Sequence, residues 1–256
     1  MRETGPVAVA LAAATVLAQI GYPLVGGGTR DALTVATVVL FALASLAHAL
    51  VSRGPRTAVV LLAAAGGGGL VAEAVGVATG VPFGRYDYAG ALGPAVLGVP
   101  LVIPLAWIMM AWPARVVALR LTRGRGRAAR VAVGAVALAS WDLFLDPQMV
   151  DAGHWRWADP VPSLPGVPTV PLTNYAGWLL VAAVLMLLLD ALLPPPGPAD
   201  DTVPYALYLW TYASSVLAHA AFLGLPASAL WGGLGMGVVV VPLVRALRHR
   251  PALVAR

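Results

Sequence analysis

Of the 256 residues, 60 % are hydrophobic and only 11 % are Asp, Glu, Lys or Arg. Soluble domains lie nearer roughly 45–50 % apolar and about 25 % charged, so the composition excludes an ordinary soluble enzyme, a nucleic-acid binder and a disordered chain. The net charge is +5; all 16 basic residues are Arg, in short segments between apolar runs, which fits a membrane surface, and the absence of Cys rules out disulfides, thiol nucleophiles and Cys metal sites.

Eight apolar segments follow one another along the chain, over residues 6–25, 32–51, 57–78, 95–117, 129–149, 172–193, 204–224 and 227–245. Each is long enough to cross about 30 Å of hydrocarbon as a helix. The first, after Met1-Arg2, has the general form of a signal peptide, but Gly21-Tyr22-Pro23 ends it without a small-residue cleavage site, so it reads as a retained span. The third contains Gly66–Gly69 and the eighth Gly232, Gly233, Gly235 and Gly237, positions where helices or a flat ligand approach the backbone closely. Pro194–Pro198 reads as a stiff connector. The expectation is one transmembrane domain over residues 1–256, an all-α integral membrane protein with a bundle of about eight helices.

Arginine counts give the orientation. Arg2, Arg53, Arg56, Arg115, Arg120, Arg123, Arg125, Arg127, Arg130, Arg245, Arg248, Arg250 and Arg256, 13 of the 16, fall on the side of the two termini. Only Arg30, Arg85 and Arg156 fall on the other. The positive-inside bias makes the first side, with both termini, cytoplasmic, in a multi-pass protein of the cell membrane.

Ionisable residues within spans are costly and mark function. Glu73 lies in the third span, Asp142 and Asp146 lie four apart on one face of the fifth, Asn174 starts the sixth, and His219 lies late in the seventh. The topology places all five in one outer layer. His48, at the other end of the second span, reads as a packing or interfacial residue. Arg85 is the expected partner of Glu73, because a buried acid needs a counter-charge or a proton. Trp155 and Trp157 are equally explained by headgroup anchoring. Asp146, just before Pro147, has the alternative of capping a turn.

A carboxyl in hydrocarbon keeps its proton and can serve as a general acid, while a neighbouring carboxylate serves as base. Phe83, Tyr86, Tyr88, Trp141, Phe144 and Trp178 offer aromatic faces to stabilise a cation. Such a set suits protonation of an alkene with capture of the carbocation, and equally a proton-coupled carrier. No dinucleotide, phosphate-loop or zinc-helix motif is present. Asp142-x-x-x-Asp146 resembles half of an Asp-rich diphosphate site, but the arginines that would grip a diphosphate lie mostly on the opposite side, so no metal or cofactor is expected.

Three blocks carry a resemblance to a known family. They are Thr79–Tyr88 with Leu92-Gly93-Pro94, continuing through Gly98-Val99-Pro100 to Pro104–Trp107 and Met110–Pro113; Trp141–Val150 with Trp155 and Trp157; and Gly166-Val167-Pro168 with Pro171–Trp178. Over residues 73–178 the chain resembles the membrane carotenoid biosynthesis proteins acting as carotenoid 1,2-hydratases, a family that includes bisanhydrobacterioruberin hydratases. The resemblance implies addition of water to the terminal isopropylidene double bond of an acyclic C40 or C50 carotenoid, without a cofactor. It also implies membrane lipids and other enzymes of the pathway as partners. It carries over no catalytic assignment. The residue argument assigns Asp142 as acid supported by Asp146, Glu73 as the group handling water, Asn174 and His219 as its orienters, and the aromatic residues with Arg85 as substrate contacts. The rivals are an isoprenoid cyclase, a proton-coupled carrier and a non-catalytic pathway partner.

Overall fold

A computed structural model describes residues 5–89, 92–194 and 197–249. Arg2, Arg250, Arg256 and the pair Pro195-Pro196 therefore lie outside the described residues. Eight helical rods account for most of the chain: α1 (Pro6–Leu24), α2 (Gly27–Arg53), α3 (Pro55–Thr79), α4 (Val102–Leu121), α5 (Arg127–Asp151), α6 (Leu172–Leu192), α7 (Thr202–Ala221) and α8 (Pro226–Arg248). In hydrocarbon every backbone N–H and C=O needs a partner inside the protein, and a helix supplies it locally. Seven rods are long and apolar enough to cross a membrane. The exception is α7, whose length suffices at 20 residues but whose apolar character is diluted by Tyr205, Tyr208, Trp210, Tyr212, Ser214 and His219. The chain is a multi-pass α-helical membrane protein.

Sequence punctuation explains the ends. Proline opens α1, α3 and α8 at the first helical position, where its missing N–H has no partner to lose. Gly54 (φ 91°) makes the tight joint between α2 and α3, a backbone region open chiefly to glycine. The fourth rod begins at Val102 rather than near residue 95, because residues 95–100 form a hairpin instead.

Pro113, Pro147 and Pro242 lie inside helices, where proline leaves a carbonyl without its usual donor; for Pro113 and Pro147 that donor is replaced. A serine from a neighbouring helix replaces the donor both times. Ser45 Oγ of α2 donates to Met109 O, four residues before Pro113, at 3.0 Å. Ser228 Oγ of α8 donates to Leu143 O, four residues before Pro147, at 2.7 Å. Helix α4 is the central rod; most of its residues are buried, and it packs on α2, α5 and α7.

The glycine-rich stretches serve close packing. A Cβ on Gly69 would lie 2.5 Å from the Trp107 ring, and one on Gly232 would lie 2.5 Å from Phe144.

Three two-stranded antiparallel ribbons sit in the connections: β1 (Tyr86–Tyr88) with β4 (Trp155–Trp157), β2 (Ala95–Val96) with β3 (Val99–Pro100), and β5 (Ser163–Leu164) with β6 (Val167–Pro171). The first ribbon joins the α3–α4 and α5–α6 connections, pairing Tyr86 with Trp157, Asp87 with Arg156 and Tyr88 with Trp155. Strand alternation turns the four rings toward the bundle and leaves Asp87 and Arg156 facing each other outside.

The opposite end is held by arginines. Arg53 grips Asp201 at 2.7 and 2.9 Å, and Asp190 takes Arg130 at 2.9 Å and Arg127 at 3.1 Å. His48 is a packing residue at this end, buried between the Asp200 carbonyl (2.9 Å) and the Trp112 indole N–H (3.0 Å).

Candidate active site

A cavity of about 150 Å³ lies beneath the β1–β4 ribbon. Helix α3 brings Glu73 to it, α5 brings Asp146 and Gln148, and α6 brings Asn174. Gln19 and Tyr22 of α1 and Ser214 and Ser215 of α7 close another side.

Glu73 is buried, and three donors converge on its two oxygens. Tyr86 and Tyr88 donate their hydroxyls to Oε2 at 2.5 and 2.8 Å, and Trp107 Nε1 donates to Oε1 at 3.0 Å. Indole has no acceptor on its nitrogen, so this arrangement matches a carboxylate at the centre. Burial and the nearby Glu73 push both tyrosine hydroxyls up from their ordinary value of 10.0, so they stay protonated and keep donating.

The second acidic centre is a pair. Asn174 Nδ2 donates to Asp142 Oδ2 at 2.8 Å and to Asp146 Oδ2 at 2.5 Å, so one amide nitrogen holds two carboxyls together. Trp155 Nε1 donates to Asp146 Oδ1 at 3.1 Å. Only Asp146 of the two faces the cavity; Asp142 lies behind it, fully buried, and its Oδ1 has no hydrogen-bond partner among the described residues. Asp146 is inside the helix and bonds to side chains, which replaces the turn-capping alternative.

Aromatic rings form the remaining walls. Trp107 and Trp178 stack with centroids 4.1 Å apart, and Trp141 meets Trp178 edge-on at 6.0 Å. Phe83, Tyr86, Tyr88 and Phe144 line the same space. No arginine or histidine is among the lining residues described. Two carboxyl centres, ring faces and no basic group make the cavity favourable to a positive charge.

Three expectations need correction. Asp142, expected as the acid that meets the substrate, does not line the cavity, because Asp146, one helical turn on, stands between them. Arg85 does not partner Glu73 and does not reach the cavity. Its side chain is 75 % exposed and paired with Asp159, because three neutral N–H and O–H donors already satisfy the buried carboxyl. His219 does not line the cavity either. It stands behind Gln148, with Nε2 at 3.1 Å from Gln148 Oε1, Nδ1 at 2.9 Å from Ser228 Oγ, and its ring edge-on to Phe144 at 5.2 Å. Trp107, Trp155 and Gln148 were not among the expected site residues, yet all three line the cavity. Trp155 and Trp157 are buried, not headgroup anchors; Trp157 Nε1 donates to Phe83 O at 2.9 Å. Their signal was the two-residue alternation of Tyr86-Asp87-Tyr88 and Trp155-Arg156-Trp157, a strand pattern.

No solved structure matches the chain. The chain is 35 % identical over 153 residues to the bisanhydrobacterioruberin hydratase of Haloarcula japonica, an alignment covering 54 % of this chain and 50 % of that protein. It thus spans about half the length of this curated relative. The sequence model of the carotenoid biosynthesis proteins matches residues 33–243, a stretch from α2 into α8 that contains both acidic centres and the ribbon above them, and the chain belongs to that family.

Proposed function

We propose that this chain hydrates the terminal isopropylidene double bond of an acyclic carotenoid, with membrane lipid around the polyene and water as co-substrate. The observation that carries the proposal is the cavity shared by Glu73 and Asp146, walled by aromatic rings and with no basic side chain among its described lining residues.

The Asp142–Asp146 pair is the acid. Two carboxyls gathered on one amide nitrogen are most stable with one proton between them. Asp146 delivers that proton, since it faces the cavity, and Asp142 supplies it from behind. The proton adds to the alkene carbon bearing one hydrogen, and the alkene π pair forms the new C–H bond. A tertiary cation remains on the dimethyl carbon. Trp141, Trp178, Phe144 and Tyr88 present ring density to it. A water held by Glu73 then attacks, and Glu73 takes the proton released as the C–O bond forms. The product is a tertiary alcohol; a final proton transfer from Glu73 back to the aspartate pair resets the site. No electron is gained or lost, so this route uses no redox cofactor. Asn174 holds the two aspartates in register, and His219 acts at one remove, by orienting Gln148.

The test is expression in cells that make an acyclic carotene, with pigments analysed by mass and polarity. Wild-type protein should yield products heavier by one water per reacted end. An isomer of unchanged mass would indicate cyclisation instead. Unchanged pigment in the presence of folded protein would overturn the proposal.

A further inference from the structure

The arginine-rich end holds a second cavity, of about 360 Å³, that takes no part in this chemistry. Ser52, Arg53, Trp112 and Arg115 form one side, and Leu193 and Pro194 the other. Two arginines line it, with side chains only 10 % and 7 % exposed.

One of them, Arg53, is incompletely hydrogen-bonded. Arg53 gives Nη2 to Asp201, but its Nη1 is buried without a hydrogen-bond partner among the described residues. Arg115 has Asp190 at 3.6 Å, a carboxylate already engaged by Arg127 and Arg130. The other polar groups of the wall are spent. Ser52 Oγ donates to His48 O, Thr57 Oγ1 donates to Arg53 O, and Trp112 donates to His48 Nδ1. The donors left for a ligand are guanidinium N–H groups. No carboxylate is among the lining residues described.

A buried guanidinium N–H lacking an acceptor, as at Arg53, is costly, and two arginines lining one cavity repel each other. An oxyanion between them relieves both effects, and the planar guanidinium fork matches the oxygens of a phosphate group. We infer that this cavity binds a phosphate group, carried by a membrane phospholipid or present as the free anion. The inference is independent of the hydratase proposal.

The experiment is thermal unfolding of the purified full chain in detergent, with phosphatidylglycerol, phosphatidylcholine or inorganic phosphate titrated in. Stabilisation by phosphatidylglycerol beyond phosphatidylcholine identifies a lipid source, and equal stabilisation by inorganic phosphate identifies the free anion. Arg115→Gln should raise the half-saturating concentration about tenfold, the scale of one charge-assisted contact. Arg123→Gln, an exposed arginine in the α4–α5 connection, should leave it within about twofold because screened surface charge contributes little. If Arg115→Gln loses its cooperative transition, Arg115→Lys replaces it, keeping the charge without the fork, and should still weaken binding. The inference is overturned if neither phosphate form stabilises the wild type, if both Arg115 variants that fold bind as the wild type does, or if Arg123→Gln is as damaging as Arg115→Gln.

Discussion

Glu73 receives three hydrogen bonds from side chains, whereas Asp146 shares an amide with a second carboxyl. In the proposed hydration, that difference in partners gives chemically similar groups different roles. Asp146→Asn removes the proton donor at the cavity wall and should lower product formation by about 10²–10⁴-fold, the usual range for a general acid, at unchanged protein level. Glu73→Gln should fall in the same range. Arg85→Gln should leave pigment yield and melting temperature nearly unaltered, since an exposed ion pair contributes only about 0–1 kcal/mol. Tyr86 and Tyr88 add a pH signature. Their folded pKa values are raised above 10.0, so the folded chain holds protons that the unfolded chain releases near that pH. Their stabilising effect is complete below about pH 10 and is lost as pH rises beyond it. Alkaline titration followed by tyrosinate absorbance should show a step of tyrosine ionisation that coincides with unfolding, and this step should be smaller by two tyrosines in the Tyr86→Phe/Tyr88→Phe protein. The acids were legible in the sequence because a carboxyl in an apolar run has few innocuous explanations. Their donors were not, because a Trp or Tyr near a span end looks the same whether it meets a headgroup or a buried carboxylate.

At the level of elements, the apolar runs predicted the rods closely, since the bilayer admits helices and little else here. The ribbons were harder to foresee. Strands of two to five residues give only one or two alternations, and the β1 partner lies far along the chain at Trp155–Trp157. The ribbon nevertheless determines the site, because its register places Tyr86 and Tyr88 over Glu73 and Trp155 over Asp146. The in-helix prolines pose a related problem. Pro147 reads locally as a helix break just after Asp146, yet the helix continues because Ser228 of another rod serves the freed Leu143 carbonyl. Ser228→Ala leaves that carbonyl unpaired and should destabilise the protein by about 1–3 kcal/mol, read as a lowered midpoint in a thermal or denaturant melt. Ser228 also contacts His219, so the same change should lower hydratase turnover modestly through His219 and Gln148.

Across the whole molecule the two ends divide the polar work. One end concentrates arginines on Asp190 and Asp201, and the other carries aromatic ribbons over the acidic cavity. An acid at mid-bilayer would have no water to add, so the proposed hydration calls for a cavity near one end of the bundle, as the one beneath the ribbon is. The arginine bias predicts a cytoplasmic arginine-rich end and therefore a cavity at the outer face. Because the chain contains no cysteine, this orientation is directly measurable. A single cysteine replacing Asp159, beside the ribbon and 63 % exposed, should react with a membrane-impermeant maleimide in intact cells. One replacing exposed Arg123 should react only after the membrane is opened. The opposite pattern would place the acidic cavity on the cytoplasmic side, and the water consumed in hydration would then have to be drawn from that compartment.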